Sequence, residues 1–413
     1  MAGHGGVRAA RAALALLLLL GPALAGGCAP RAAADPERAR VQRLLDRRAH
    51  DLIGRDESGF LTTGGRGADT AAEHRSATWF DNLADVPLAS LTYRVTGFHR
   101  SGHTATADAE LGYRLTGFDA APLTSRRTVR LRESRGRWYV TADTPAKKAS
   151  RQLWEQGRVR VVRGTHSLVL GVGQDTARLR HFAALADRAV PAVTDAWGGA
   201  WARRIVVEVP GSLNAMGDLL GSPASGYRGI AAVTTGEAGG IPRAPADRIV
   251  VNPEAYGVLG DFGQQVVLTH ETTHVATRSA TTAATPLWLS EGYADWSGYR
   301  GSGRTAPEIA PELRRAVLAG HQPAGLPTDA DFGFARAADP LAEAYEGGWL
   351  ACRMIAERWG EDRLRAFYAR VGTHDAREGA VESALHDVLD TGLDDFTAQW
   401  RAYVRKALTA ATP

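Results

Sequence analysis

Cysteine and lysine are almost missing from this 413-residue chain. Cysteine stands only at Cys28 and Cys352, which excludes a disulfide-stapled scaffold and a structural zinc site closed by thiolates. Lysine is confined to Lys147, Lys148 and Lys406, so arginine carries nearly all the positive charge. The net charge of +4 is small and spread along the chain, which argues against a nucleic-acid partner. Long apolar runs are scarce as well. The run over 12–25, with leucine throughout Leu16–Leu20, is too short for a comfortable membrane-spanning helix. What is present is an apolar fraction of 44%, the level of a globular protein, and a length sufficient for two domains.

Residues 1–28 have the pattern of a targeting segment: Arg8 and Arg11, then the apolar run, then small residues. Two ends are written close together. Ala23-Leu24-Ala25 fits ordinary signal-peptidase cleavage. Ala25-Gly26-Gly27-Cys28 resembles a bacterial lipobox, with alanine where leucine usually stands, and would make Cys28 the lipidated first residue of the mature chain. The lipoprotein reading gives Cys28 a use and a membrane anchor. Either way the chain is expected outside the cytoplasm. Cys352, set in an apolar helical pattern, reads as a buried core thiol.

The chemistry-bearing stretch is His270-Glu271-Thr272-Thr273-His274. Its apolar spacing is helical, and four residues are slightly more than one turn. Both imidazoles therefore project from one face and can share a metal ion. Glu271 lies beside that face, placed to accept a proton from a water held there. Further on, Thr285-Pro286 reads as the cap and first residue of a second helix, which carries Glu291 and Asp295 at i, i+4. Two histidines and a carboxylate, with a fourth position left to water, form the coordination set of a catalytic zinc site.

HETTH followed by Trp288-Leu289-Ser290-Glu291-Gly292-Tyr293-Ala294-Asp295 resembles the gluzincin metallopeptidases, in particular their peptidase MA-like branch. The resemblance implies that His270, His274 and Glu291 bind Zn2+ and that Glu271 is the general base. It implies that Asp295 orients the first histidine from behind, and that the substrate is a peptide or protein. Sixteen residues separate His274 from Glu291, fewer than in the best-known members, which implies a tighter connection. Tyr345-Glu346-Gly347-Gly348 is similar to the Y-E-K-G of aminopeptidase-type relatives and implies that Tyr345 donates to the oxyanion. Their G-x-M-E-N strand has no counterpart, so aminopeptidase specificity is not implied. The likeness spans about 158–413.

The fold class expected is α+β. Helices are expected from Asp35-Pro36 to Ile53 and over 72–83, then strands over 91–99, 103–116 and 126–142 with turns at Ser101-Gly102 and Ser134-Arg135-Gly136. Helices followed by such a meander resemble a cystatin-like or SnoaL-like cone, so 35–145 is assigned to that domain. His50, His74, His99 and His103 lack carboxylate partners at metal spacing and read as surface or packing residues.

Residues 144–156 read as a linker to a zincin-like domain over 158–413: a mixed sheet, the zinc helices and a helical C-terminal part. The Gly171-Val172-Gly173 turn mimics a dinucleotide site, but Thr176 occupies the place of the third small residue, so no nucleotide cofactor is expected. Strands over 229–234 or 248–252 are candidates for the one that pairs with a substrate backbone. Trp349, Met354, Ile355, Phe367, Phe396 and Trp400 are the expected core of the C-terminal helices. Two other functions stay open: a binding or scaffold lipoprotein with an inactive zincin fold, and a zinc hydrolase of non-peptide substrates.

Overall fold

The computed structural model describes residues 35–65, 70–235, 246–333 and 338–410. The expected targeting segment, with Cys28, lies outside them. The fold is α+β, built on two sheets.

Helix α1 (Pro36–Ile53) is capped by Asp35, whose carboxylate accepts from the Glu37 amide at 2.9 Å. Its buried stripe is Val41, Leu44, Leu45, Ala49 and Leu52. Two helices follow, α2 (Glu57–Thr63), which the sequence pattern did not reveal, and α3 (Thr70–Asn82). They pack with an antiparallel meander of β1 (Leu88–Ser101), β2 (Thr104–Leu115), β3 (Leu123–Ser134) and β4 (Arg137–Pro145). The stretch over 126–142 is two strands, because Arg135 (φ 51°) and Gly136 (φ 73°) reverse the chain between them. On β2 every second residue from Ala105 to Leu115 is buried, giving the sheet its apolar inner face. His50, His74, His99 and His103 are all exposed.

The end of the expected linker, residues 152–154, is part of the core. Leu153 and Trp154 sit in a short 3-10 turn and are each 3% exposed. The Trp154 ring meets Tyr113 edge-on at 4.8 Å, and its carbonyl accepts from Asn82 Nδ2 at 2.7 Å. An apolar pair inside a polar stretch was overlooked because local composition outweighed it.

The second sheet contains β5 (Arg160–Arg163), β6 (Ser167–Gly171), β7 (Ile205–Val209), β8 (Ala232–Thr234) and β9 (Ile249–Val251), in the order β5-β6-β7-β9-β8. Strands β6, β7 and β9 run parallel; β5 and β8 run antiparallel to their neighbours. Helix α4 (Thr176–Trp197) follows β6, and α5 (Leu213–Leu220) follows β7. A Cβ on Gly171 would come 2.5 Å from Leu179 Cδ2, so the glycine of this turn serves close packing of strand on helix.

Both faces of this sheet are covered, which is why β6 and β7 are buried at every position. Val169, Ile205, Val207, Ile249 and Val251 face α4. Leu168, Leu170 and Val206 face the other way and join the core of the first sheet. That junction also holds a buried ion pair. Asp119, after β2, accepts from Arg248 at 2.8 and 2.7 Å, and Glu208 of β7 stands 3.6 Å from the same guanidinium.

Beyond α6 (Pro253–Gly257) come α7 (Asp261–Thr277) and α8 (Leu287–Tyr299). Gly260 is the cap of α7, and Asp261 is its first residue, where a carboxylate suits the helix N-terminus. Pro286 is the cap of α8, one residue later than the sequence suggested.

The remainder is helical: α9 (Ala306–Ile309), α10 (Pro311–Leu318), α11 (Ala338–Trp359), α12 (Glu361–Gly372), α13 (Ala380–Ala384) running into a π turn, and α14 (Leu393–Thr409). Its core includes Trp349, Met354, Ile355, Phe367, Phe396 and Trp400, with Cys352 buried as a free thiol. Each fully buried side chain of this kind contributes about 1.5–3 kcal/mol.

Candidate metal centre

Helix α7 carries His270, Glu271 and His274; α8 carries Glu291 and Asp295. Their approach is set by glycine. A Cβ on Gly298 of α8 would stand 3.1 Å from the Val266 carbonyl of α7. On the other flank, a Cβ on Gly292 would overlap the Gly348 carbonyl of α11, and one on Gly348 would come 2.6 Å from the Trp288 carbonyl. The residue after Glu291 therefore has to be glycine if α8 is to lie this close to α11.

Three donor atoms converge. His270 Nε2 and His274 Nε2 are 3.0 Å apart, and Glu291 Oε2 lies 3.3 Å from the first and 3.5 Å from the second. Donors held about 2.0–2.2 Å from a tetrahedral ion stand roughly 3.3–3.5 Å from one another. Two edges of the triangle fall in that range and the edge between the histidines is about 0.3 Å shorter, and these three side chains form a group able to hold a metal ion.

His270 Nδ1 makes a 2.8 Å hydrogen bond with Asp295 Oδ1. With the proton on Nδ1, Nε2 presents its lone pair to the triangle. The electrostatics favour a cation there. Burial would lower the His270 pKa, yet Asp295 and Glu291 override it and hold the ring up at about 10, so a metal ion would have to displace the Nε2 proton. Burial likewise opposes ionisation of Glu291, but His274 and His270 bring its pKa well below the ordinary carboxylate range.

No known family model matches this chain, and no curated protein does.

Glu271 is 5% exposed, and its Oε2 accepts from Thr234 Oγ1 at 2.7 Å. Thr234 is fully buried at the end of β8 and was not among the expected site residues. A strand over 229–234 was one of two candidates to border the cleft. The sheet order puts β8 at the edge and β9 inside, and it is β8 that reaches Glu271. Tyr256 is a neighbour too: burial first, then the Glu271 charge, raises its phenol above the usual range. Its hydroxyl donates to the Gln264 carbonyl in the first turn of α7 at 2.6 Å.

Tyr345 lies two turns into α11, which begins at Ala338. Its half-buried ring meets Phe332 edge-on at 5.1 Å. The adjoining Glu346 turns to α10, accepting from the Leu313 amide at 2.6 Å and the Glu312 amide at 3.3 Å. The structure thus brings together His270, His274, Glu291 and Asp295, while the Glu271 carboxylate, on the same helix as the histidines, meets Thr234. Cys28 lies outside the described residues.

Proposed function

We propose that the protein is an exported zinc metallopeptidase in which His270, His274 and Glu291 hold the ion. The supporting observation is the triangle of donor atoms, with edges of 3.0, 3.3 and 3.5 Å, backed by the bond from His270 to Asp295. Two imidazoles and one carboxylate suit zinc, and they leave a further coordination position for reactants. A bound zinc ion supplies Lewis-acid chemistry, polarising a carbonyl and making a water more acidic.

The remaining work falls to the chain's own side chains. Glu271 accepts a proton from the attacking water at its carboxylate and passes it to the departing amine. Thr234 fixes that carboxylate through Oε2. Asp295 keeps His270 in the tautomer that presents Nε2. Tyr345 is the proposed donor to the carbonyl oxygen as it gains charge. In this reading residues 35–145 form a cystatin-like cone and 158–413 a zincin-like domain. The targeting segment exports the chain, with Cys28 as the proposed lipid anchor on the membrane.

Elemental analysis and a peptide-library assay test the reading together. Wild type is expected to hold one equivalent of zinc, with strong losses in His274→Ala and Glu291→Ala. Glu271→Gln is expected to keep the zinc and lose hydrolysis by at least about a hundredfold. Metal-free wild type after incubation with zinc, or full activity in Glu271→Gln, would sink it.

A further inference from the structure

Some arginines of this protein are held by a carboxylate. Arg94 meets Glu110, Arg248 meets Asp119, Arg278 meets Asp247, Arg300 meets Glu361, and Arg377 meets Asp329. One concave surface gathers four arginines. A cleft of about 510 Å3 between α1, α2 and the start of β4 is lined by Arg40, Arg43, Arg47 and Arg137. Arg40 is held by Glu37 at 2.7 Å. Among the described residues, Arg43, Arg47 and Arg137 have no carboxylate within ion-pair distance, although Asp51 also lines the cleft.

Positions 40, 43 and 47 share one helical face, the one turned away from the buried stripe of α1. Like charges at i, i+3 and i, i+4 destabilise a helix by a few tenths of a kcal/mol per pair. Nothing in the packing of α1 demands them, since its core contacts are made by Val41, Leu44, Leu45, Ala49 and Leu52. The cleft is also lined by half-buried Tyr139 and by Trp138, which is 6% exposed and whose indole donates to Glu37 Oε2 at 2.7 Å. The cleft therefore combines surplus positive charge with apolar surface and a volume in the range of small-ligand sites.

We propose that this cleft binds a phosphate group carried on a small organic molecule or lipid headgroup. A phosphate places two charges and several acceptor oxygens in a compact volume, the arrangement that forked guanidinium donors match best. The space left beside Trp138 and Tyr139 accommodates the organic portion. The site is separate from the histidine centre and does not depend on how that centre works.

The test is titration of the full protein with inorganic phosphate, alongside flotation with phosphatidylglycerol vesicles and, as control, phosphatidylcholine vesicles. Saturable binding is expected in the phosphate arm or with the anionic vesicles alone, and the arm that responds identifies the source. The double variant Arg43→Ala with Arg47→Ala is expected to weaken it at least about tenfold. Arg126→Ala, an exposed arginine of β3 outside the cleft, is expected to leave it unchanged. If the double variant does not fold, Arg137→Ala carries the same expectation. Absence of saturable binding in both arms, or an equal loss in Arg126→Ala, would overturn the proposal.

Discussion

Thr234 donates its hydroxyl to Glu271 across 2.7 Å, joining the edge strand of the second sheet to the helix that carries both histidines. The donor and acceptor are both buried, so water does not readily replace the bond. Thr234→Val keeps the β-branched shape and removes the donor. It is expected to lower kcat roughly tenfold, the worth of a hydrogen bond to a charged group, with zinc content unchanged. Thr234→Ser is expected to restore most of the rate. Equal rates in wild type and Thr234→Val would remove Thr234 from the machinery.

Asp295 touches the proposed ion only through His270. Asp295→Ala is expected to weaken zinc binding about 10–100-fold while leaving the three ligands in place. Competition against a chelator of known affinity reads this directly.

Asp119 and Arg248 are both buried, and removing the acid leaves the guanidinium with the Asp247 carbonyl at 3.0 Å and the Glu208 carboxylate at 3.6 Å. Asp119→Ala is expected to cost about 3 kcal/mol or more in unfolding free energy, measured by urea denaturation. A loss below about 1 kcal/mol would mean that Glu208 suffices alone.

Glu346 gives the stability a pH dependence. Burial, and then the neighbouring Glu312, raises its pKa from 4.5 to about 9. The folded protein therefore keeps a proton that the unfolded chain releases above its ordinary carboxylate pKa. The stabilisation is complete below pH 4.5 and is lost as pH rises toward about 9. Glu346→Gln, neutral throughout, is expected to flatten the decline in urea midpoint between those values. An unchanged slope would place the dependence elsewhere.

The histidine helix was legible because its spacing is a local property: His270 and His274 stand one turn apart whatever the remaining chain does. Glu291 and Asp295 were legible for the same reason, and the start of α8 was misjudged by only one residue. Thr234 was not, since 37 residues separate it from Glu271 and only sheet-on-helix packing brings them together. The start of α11 was hidden because its first turns carry few apolar residues, whereas its strong apolar pattern begins at Trp349. Leu153 and Trp154 show the same limit: what buries them lies on strands and helices elsewhere in the chain.

The buried junction between the sheets bears on how the chain can be divided. Leu168, Leu170, Val172 and Val206 belong to the histidine-bearing half in sequence, yet their apolar contacts belong to the other half. Excising residues 35–145 would leave that face of the second sheet open to solvent, with Arg248 deprived of Asp119. Such a fragment would be a sticky, aggregation-prone product. The two sheets accordingly depend on each other for burial, and a cut between them is expected to expose core on the histidine-bearing side.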